Sequence, residues 1–277
     1  MKPMRDSTRA IKGEVKMRRF VIPYRLYENE GDHIVCLNGV QQSMAMWQSF
    51  ISRFSRQYRI VLFDFPNQGK AQILSGPPSV TLDEQVEILR QVLKTTRASN
   101  NLILIAASWG GVIAVAFASR YPHAVKRLML ASLGSKANKK LIETIKKGAE
   151  IDIENRREIA DTLINSMGKD LPMSIRKKIV NQFCTMSAEK LRTFYEHGLA
   201  VISTNEISEV VKLENIKAQT TLVNGQNDTI IDLKDIKFLA SQIPNCETKM
   251  IENVGHFLHL EREEVLDIYQ EILSDNT

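Results

Sequence analysis

Apolar residues recur along this chain in two rhythms. Short runs rich in β-branched residues lie at 34–37, 60–63, 102–106, 127–131, 220–223 and 248–251. Between them come longer stretches with apolar positions at helical spacing, at 45–57, 82–96, 111–120, 234–242 and 265–273. The short runs are apolar almost without interruption, as strands buried on both faces must be. Strand alternating with helix predicts a mostly parallel sheet covered by helices on both sides, an α/β architecture. Ahead of these runs Val15 and Met17, then Phe20, Ile22, Tyr24 and Leu26, alternate weakly, as the arms of an antiparallel hairpin do.

The rhythm breaks once. From 135 to 213 only helical patterns occur, at 139–147, 156–167, 174–184 and 188–202, with a short fifth at 207–211. Helices inserted between two strands predict an all-helical lid over one edge of the sheet. The expected organisation is a core of 1–134 with 214–277, and a lid of 135–213. No internal repeat interrupts this plan, and Gly76-Pro77-Pro78 reads as a rigid surface loop.

Composition narrows the class. Hydrophobic residues make up 43% and charged ones 25%, which excludes a disordered or low-complexity chain. No apolar run approaches the ~18–20 residues of a spanning helix, so membrane insertion is not expected. Residues 1–19 are too charged for a secretory signal. Cys36, Cys184 and Cys246 are widely spaced with no CxxC pair. Neither a disulfide framework nor a zinc site is expected, and a reducing cytoplasm is the expected location. The net charge of +5 comes largely from a basic arm (Lys2, Arg5, Arg9, Lys12, Lys16, Arg18, Arg19) and from the stretch 136–178. Such stretches read as solvated surface or as attraction to an acidic partner, not as a nucleic-acid site.

The candidate chemistry begins at Leu104-Ile105-Ala106-Ala107-Ser108-Trp109-Gly110-Gly111-Val112. An apolar strand runs into a serine with Ala106 and Gly110 two residues to either side, and a helix follows. This is the context of a nucleophile elbow, G-x-S-x-G, with alanine at the first glycine. The flanking residues must be small because larger side chains would collide with neighbouring backbone. The same string also suits a plain tight turn between strand and helix. In the elbow reading Ser108 is the nucleophile, and the Trp109 backbone N–H, at a helix start, faces a developing oxyanion.

A serine hydroxyl needs a base, and the base an orienting acid. In elbow enzymes the chain order is serine, acid, histidine. Of the five histidines, His256 and His259 follow the last strand run, and Val254-Gly255-His256-Phe257 places His256 in a flexible loop. His256 is therefore the candidate base and His259 the weaker one. His33 and His123 read as surface or packing residues, whereas His197 is a candidate pocket residue. Asp228, after the strand run and turn Leu222-Val223-Asn224-Gly225-Gln226-Asn227, is the candidate acid; Asp232 reads as a helix N-cap. The loop Leu37-Asn38-Gly39-Val40-Gln41 offers the Val40 N–H as second oxyanion donor, with Asn38, Gln41 and Phe257 as further candidate pocket residues. Asp64 reads as structural, tying loops together.

Taken together these strings resemble the α/β-hydrolase fold from about Ile34 onward. More narrowly, the chain is similar to the bacterial family of 3-(3-hydroxyalkanoyloxy)alkanoate synthases and 3-hydroxyacyl-carrier-protein transacylases or thioesterases. The narrower likeness rests on Asn38-Gly39, Val61-Leu62-Phe63-Asp64-x-Pro66, Glu87-Ile88-Leu89, Ser108-Trp109-Gly110-Gly111 and Gly168-Lys169-x-Leu171-Pro172. It extends to Asn224-Gly225 with Asp228, and to Gly255-His256-Phe257-Leu258-x-Leu260-Glu261. The resemblance implies acyl transfer on 3-hydroxyacyl thioesters carried by acyl carrier protein or CoA, with the triad on Ser108, Asp228 and His256 and no metal or cofactor. Departures lie in the loop 40–44, at Asn227 and Thr229 beside the acid, and at His259. They bear on the substrate rather than the triad. Two other readings stand beside it: a general serine carboxylesterase or thioesterase, and a non-catalytic binding protein of the same fold. The last class often lacks a triad member, and here all three are present.

Overall fold

The apolar runs become strands in the computed structural model, which describes residues 9–99, 101–203 and 206–275. Lys2 and Arg5 of the basic arm lie outside the described residues. Contacts divide the chain into two units, Met1–Met129 with Asn215–Gln219, and Leu130–Glu214 with Thr220–Thr277.

The first unit starts with the expected hairpin, β1 (Ile11–Lys16) antiparallel to β2 (Phe20–Tyr27). It continues through β3 (His33–Leu37), α1 (Gln48–Phe54), β4 (Arg59–Phe63), the two-residue β5 (Gln72–Ile73), α2 (Leu82–Thr96), β6 (Leu102–Ala107) and α3 (Trp109–Arg120). β7 (Val125–Ala131) closes the series. The strands lie in the order β1-β2-β4-β3-β6-β7, with β5 beside β2. β3 pairs in parallel with both β4 and β6, while β2 runs antiparallel to β4.

Burial explains the pattern. Every residue of β6 is buried, as are all of β3 and β4 after their first positions. Each Ile, Leu or Phe removed from water there contributes about 1.5–3 kcal/mol. β1, at the edge, is mostly exposed and alternates. α2 starts at a capping box, in which the Thr81 hydroxyl accepts from Glu84 N (3.2 Å) and Glu84 accepts from Thr81 N (2.9 Å). It ends where Arg97 turns left-handed.

The helix expected over 45–57 divides in two. A 3-10 turn, Met44–Trp47, precedes α1 because Ser43 caps Ala45 N and Asp64 accepts from Met44 N (2.8 Å), which tightens the entry.

The second unit carries the expected helical series: α4 (Lys139–Glu150), α5 (Arg156–Met167), α6 (Met173–Thr185), α7 (Ala188–Ser203) and the single turn α8 (Ile207–Val210). α5 packs on α4 and α6, and α4 packs on α7. Ile145, Ile159, Leu163, Phe183, Leu191 and Phe194 are buried there. Next come β8 (Gln219–Gly225), α9 (Leu233–Gln242), β9 (Cys246–Ile251) and α10 (Val265–Ser274), with β8 and β9 parallel. Ser132, just past β7, donates its backbone N–H to Val223 O of β8 at 2.9 Å.

Candidate active site

In the first unit Ser108 occupies the single residue between β6 and α3, with φ 49° and ψ −119°. A side chain other than glycine pays of order 1–3 kcal/mol for such a conformation, which persists only where its surroundings impose it. Here they do. Gly111 N donates back to Ser108 O at 2.8 Å, and Gly110 stands so close to the end of β3 that a Cβ would meet Leu37 O at 2.6 Å and Asn38 O at 2.7 Å. Ala106 is wholly buried within β6. Trp109 opens α3, and its indole N–H donates to Gln85 of α2 at 2.9 Å.

The loop after β3 is held by side chains. Gln42 accepts from Gly39 N at 2.7 Å, and Gln68 donates to Gly39 O at 3.0 Å. These bonds occupy the Gly39 amide and leave the chain to turn at Gln41, which has φ 57°. Asn38 points inward and is wholly buried. Its amide donates to Phe63 O (3.0 Å) and Asp64 (3.3 Å) and accepts from Trp47 Nε1 (2.8 Å). Both polar atoms of its side chain are thereby engaged within the first unit. Asp64 also accepts from Met44 N and Lys70 N, so one carboxylate ties three segments together. Burial pushes its pKa up, against those hydrogen bonds and the charge of Arg25.

In the second unit Asp228 and His256 meet. His256 Nδ1 lies 2.7 Å from Asp228 Oδ2, with side chains only 5% and 2% exposed. The other carboxylate oxygen accepts from Ile230 N (2.9 Å) and Ile231 N (3.2 Å), which fixes the carboxylate plane. Burial, the largest influence, works against a charged imidazole, but the Asp228 charge and hydrogen bond together with the Glu261 charge lift the His256 pKa above 6.5. A ring whose Nδ1–H faces a carboxylate keeps Nε2 as its basic nitrogen when neutral.

Close backbone approach makes the meeting possible. A Cβ at Gly225 would lie 2.2 Å from Val254 O and 2.4 Å from Gly255 O. Asn227 N donates to Val254 O at 2.9 Å, and the Ser132 hydroxyl donates to His256 O at 2.6 Å.

The chain matches the family model described as alpha/beta hydrolase fold over residues 32–172, slightly more than half its length. It belongs to the α/β-hydrolase family. Among curated proteins it is similar to the (R)-3-hydroxydecanoyl-ACP:CoA transacylase of Pseudomonas putida. The two are 19% identical over 232 residues, covering 83% of this chain and 78% of that one. It is also similar to monoacylglycerol lipase ABHD6 of Bos taurus, 24% identical over 255 residues, covering 88% and 75%. Among solved structures, lip1 of Acinetobacter baumannii AYE superposes with a TM-score of 0.80 at 19% identity, covering 97% of this chain and 92% of that one.

Within this hydrolase fold the remaining candidates take distinct places. Phe257 packs edge-on against the His256 ring, with centroids 5.5 Å apart. His259 is buried against Tyr269 instead of joining Asp228. His197 sits on α7, where burial pulls its pKa down to about 4, so it is neutral near pH 7. Asp232 holds the N-cap position of α9, but its carboxylate accepts from Asn138 (2.8 Å) and makes no cap hydrogen bond. Gln42, Gln68, Ser132 and Glu261 also act on these loops. Of these, Glu261 had a trace in the sequence as the last residue of the His256 string, and Gln42 only as a member of the loop 40–44. Among the described residues no group of His, Cys, Asp and Glu is arranged to hold a metal, and no helix is long and apolar enough to cross a membrane.

Proposed function

We propose that this hydrolase-fold protein transfers acyl groups through an acyl-enzyme on Ser108. Asp228 orients His256, and the Val40 and Trp109 N–H groups serve as the oxyanion hole. The observation that carries the reading is the buried Asp228–His256 pair at 2.7 Å, the acid–base half of a serine triad. The strained backbone of Ser108 ahead of α3 supports it as the other half.

In the reaction Ser108 Oγ bonds to the acyl carbon as His256 Nε2 takes its proton. The tetrahedral intermediate collapses with loss of the C–S bond, and the proton passes to the departing thiolate. An acceptor hydroxyl, thiol or water then reverses these steps. The substrate class we favour is a 3-hydroxyacyl thioester of acyl carrier protein or CoA, in the cytoplasm, with the helices of 135–213 as a lid and His197, Gln41 and Phe257 near the acyl chain. The similarity to a hydroxyacyl transacylase supports this choice. The similarity to a monoacylglycerol lipase supports a second reading, hydrolysis of carboxylic esters.

Product analysis separates the two. Wild-type protein given 3-hydroxydecanoyl-CoA and an acceptor thiol should yield transferred acyl thioester, and Ser108→Ala should yield none. Free acid as the sole product would favour the hydrolase, and Ser108→Ala activity within tenfold of wild type would remove the serine mechanism.

A further inference from the structure

His256 is held from several directions. Asp228 binds its ring, and Ser132 donates to its carbonyl. The third hold is less expected. The N–H groups on either side of His256 both point into one carboxylate: Gly255 N donates to Glu261 Oε2 at 2.6 Å, and Phe257 N to Glu261 Oε1 at 2.9 Å.

We propose that Glu261 is a positioning residue for the acyl-transfer chemistry, its two oxygens clamping the loop that carries His256 and setting where the imidazole stands. The proposal rests on reading His256 as the catalytic base.

Local geometry supports it. The chain returns from Phe257 to Glu261 through the 3-10 turn Leu258–Leu260, with Leu260 N donating to Phe257 O (2.8 Å) and Glu261 N to Leu258 O (2.9 Å). Leu258 has φ 38°, a conformation a bulky residue adopts only when its surroundings impose it. Gly255 leaves room for the clamp, since a Cβ there would lie 3.0 and 3.1 Å from the Glu261 oxygens and 3.4 Å from Asp170 Oδ2. Asp170, in the turn between α5 and α6, therefore faces the same spot.

The charges bearing on Glu261 are those of Asp170 and His256. Burial first, then Asp170, raise its pKa, while the Phe257 and Gly255 N–H groups and His256 lower it, and the net direction is upward. In return, its negative charge favours protonated His256.

Two substitutions separate charge from geometry. Glu261→Gln keeps one acceptor oxygen but turns an NH2 group toward the other backbone N–H, so the clamp opens on one side, and its charge is gone. Glu261→Asp keeps the charge and shortens the reach. The readout is kcat and KM for a p-nitrophenyl acyl ester across pH, per active site titrated with a fluorophosphonate. A shift of about 1 Å in a catalytic group costs up to about a hundredfold in rate. Both variants should therefore lose about ten- to a hundredfold in kcat per labelled site, with KM nearly unchanged. The acid limb of kcat/KM should move to lower pH in Glu261→Gln and stay in place in Glu261→Asp.

A merely structural role would lower Tm and the labelled fraction while leaving kcat per labelled site and the acid limb as in wild type. A kcat per labelled site within twofold of wild type in the variants that fold overturns the proposal. If wild-type Ser108 takes no label, or Ser108→Ala turns over the ester like wild type, the triad reading fails instead, whatever Glu261 does.

Discussion

Replacing Asp228 by asparagine tests the acid–base pair with almost no change in volume. Asp228 uses Oδ1 for the N–H groups of Ile230 (2.9 Å) and Ile231 (3.2 Å) and Oδ2 for His256 Nδ1 (2.7 Å). In Asp228→Asn the surviving carbonyl oxygen belongs at the two backbone donors. The new NH2 group then faces Nδ1, which must become an acceptor, and the neutral ring carries its proton on Nε2. The base has lost the lone pair that would accept the serine proton. The charge-assisted hydrogen bond itself is worth about 1.5–3 kcal/mol. The inverted tautomer brings the loss in kcat to about 10⁴, or roughly 5.5 kcal/mol.

The substitution also carries a stability signature. The His256 pKa is raised above 6.5 in the folded protein. Its contribution is therefore fully present below about pH 6.5 and is lost as pH rises through the folded value. Asp228→Asn should destabilise more at about pH 5.5 than at about pH 8.5. Ester turnover measures the first effect, and thermal unfolding at the two pH values the second. A kcat within tenfold of wild type would refute the assignment of the pair.

Three further outcomes are expected. Gly110→Ala drives a Cβ to within 2.6 Å of Leu37 O. It should cost about 1–3 kcal/mol, seen as a Tm lower by several degrees, and an unchanged Tm would contradict the close approach. With His256 as the proposed base, kcat/KM of wild type should fall on the acid side with a midpoint above 6.5, because the imidazole must be neutral to take a proton and its pKa is raised; a midpoint below 6.5 would contradict the pairing. Lys139, Lys140, Lys177 and Lys178 are exposed on α4 and α6. Changing Lys139 and Lys140, or Lys177 and Lys178, to glutamate should lower kcat/KM for a carrier-bound acyl donor more than for its CoA counterpart, with the difference shrinking at high salt. Equal effects on both donors would make the basic helices ordinary surface.

Three strands of the first unit were legible because β6, and β3 and β4 after their first residues, are buried and leave no polar positions to blur the pattern. The sharp turn from β6 to α3 at Ser108 was legible because steric crowding admits only small neighbours. β5 was not, since two residues carry no period. Nor was the break between Met44–Trp47 and α1, which depends on Asp64 twenty residues away. Asn38 shows a deeper limit. A polar residue at a strand's end looks the same in sequence whether it faces a pocket or, as here, reaches inward to Trp47 and Asp64. The roles of Gln42, Gln68 and Ser132 escaped notice for a related reason. Each acts by a single side-chain hydrogen bond to backbone, which leaves no periodic trace.

The most direct measurement is intact-protein mass spectrometry after rapid acid quench from 3-hydroxydecanoyl-CoA, followed by peptide mapping. Acyl transfer through Ser108 predicts a gain of one 3-hydroxyacyl group on the peptide containing Ser108, absent in Ser108→Ala and greatly slowed in Asp228→Asn. Product formed with no covalent intermediate at any time, or an adduct on another residue that persists in Ser108→Ala, would contradict it.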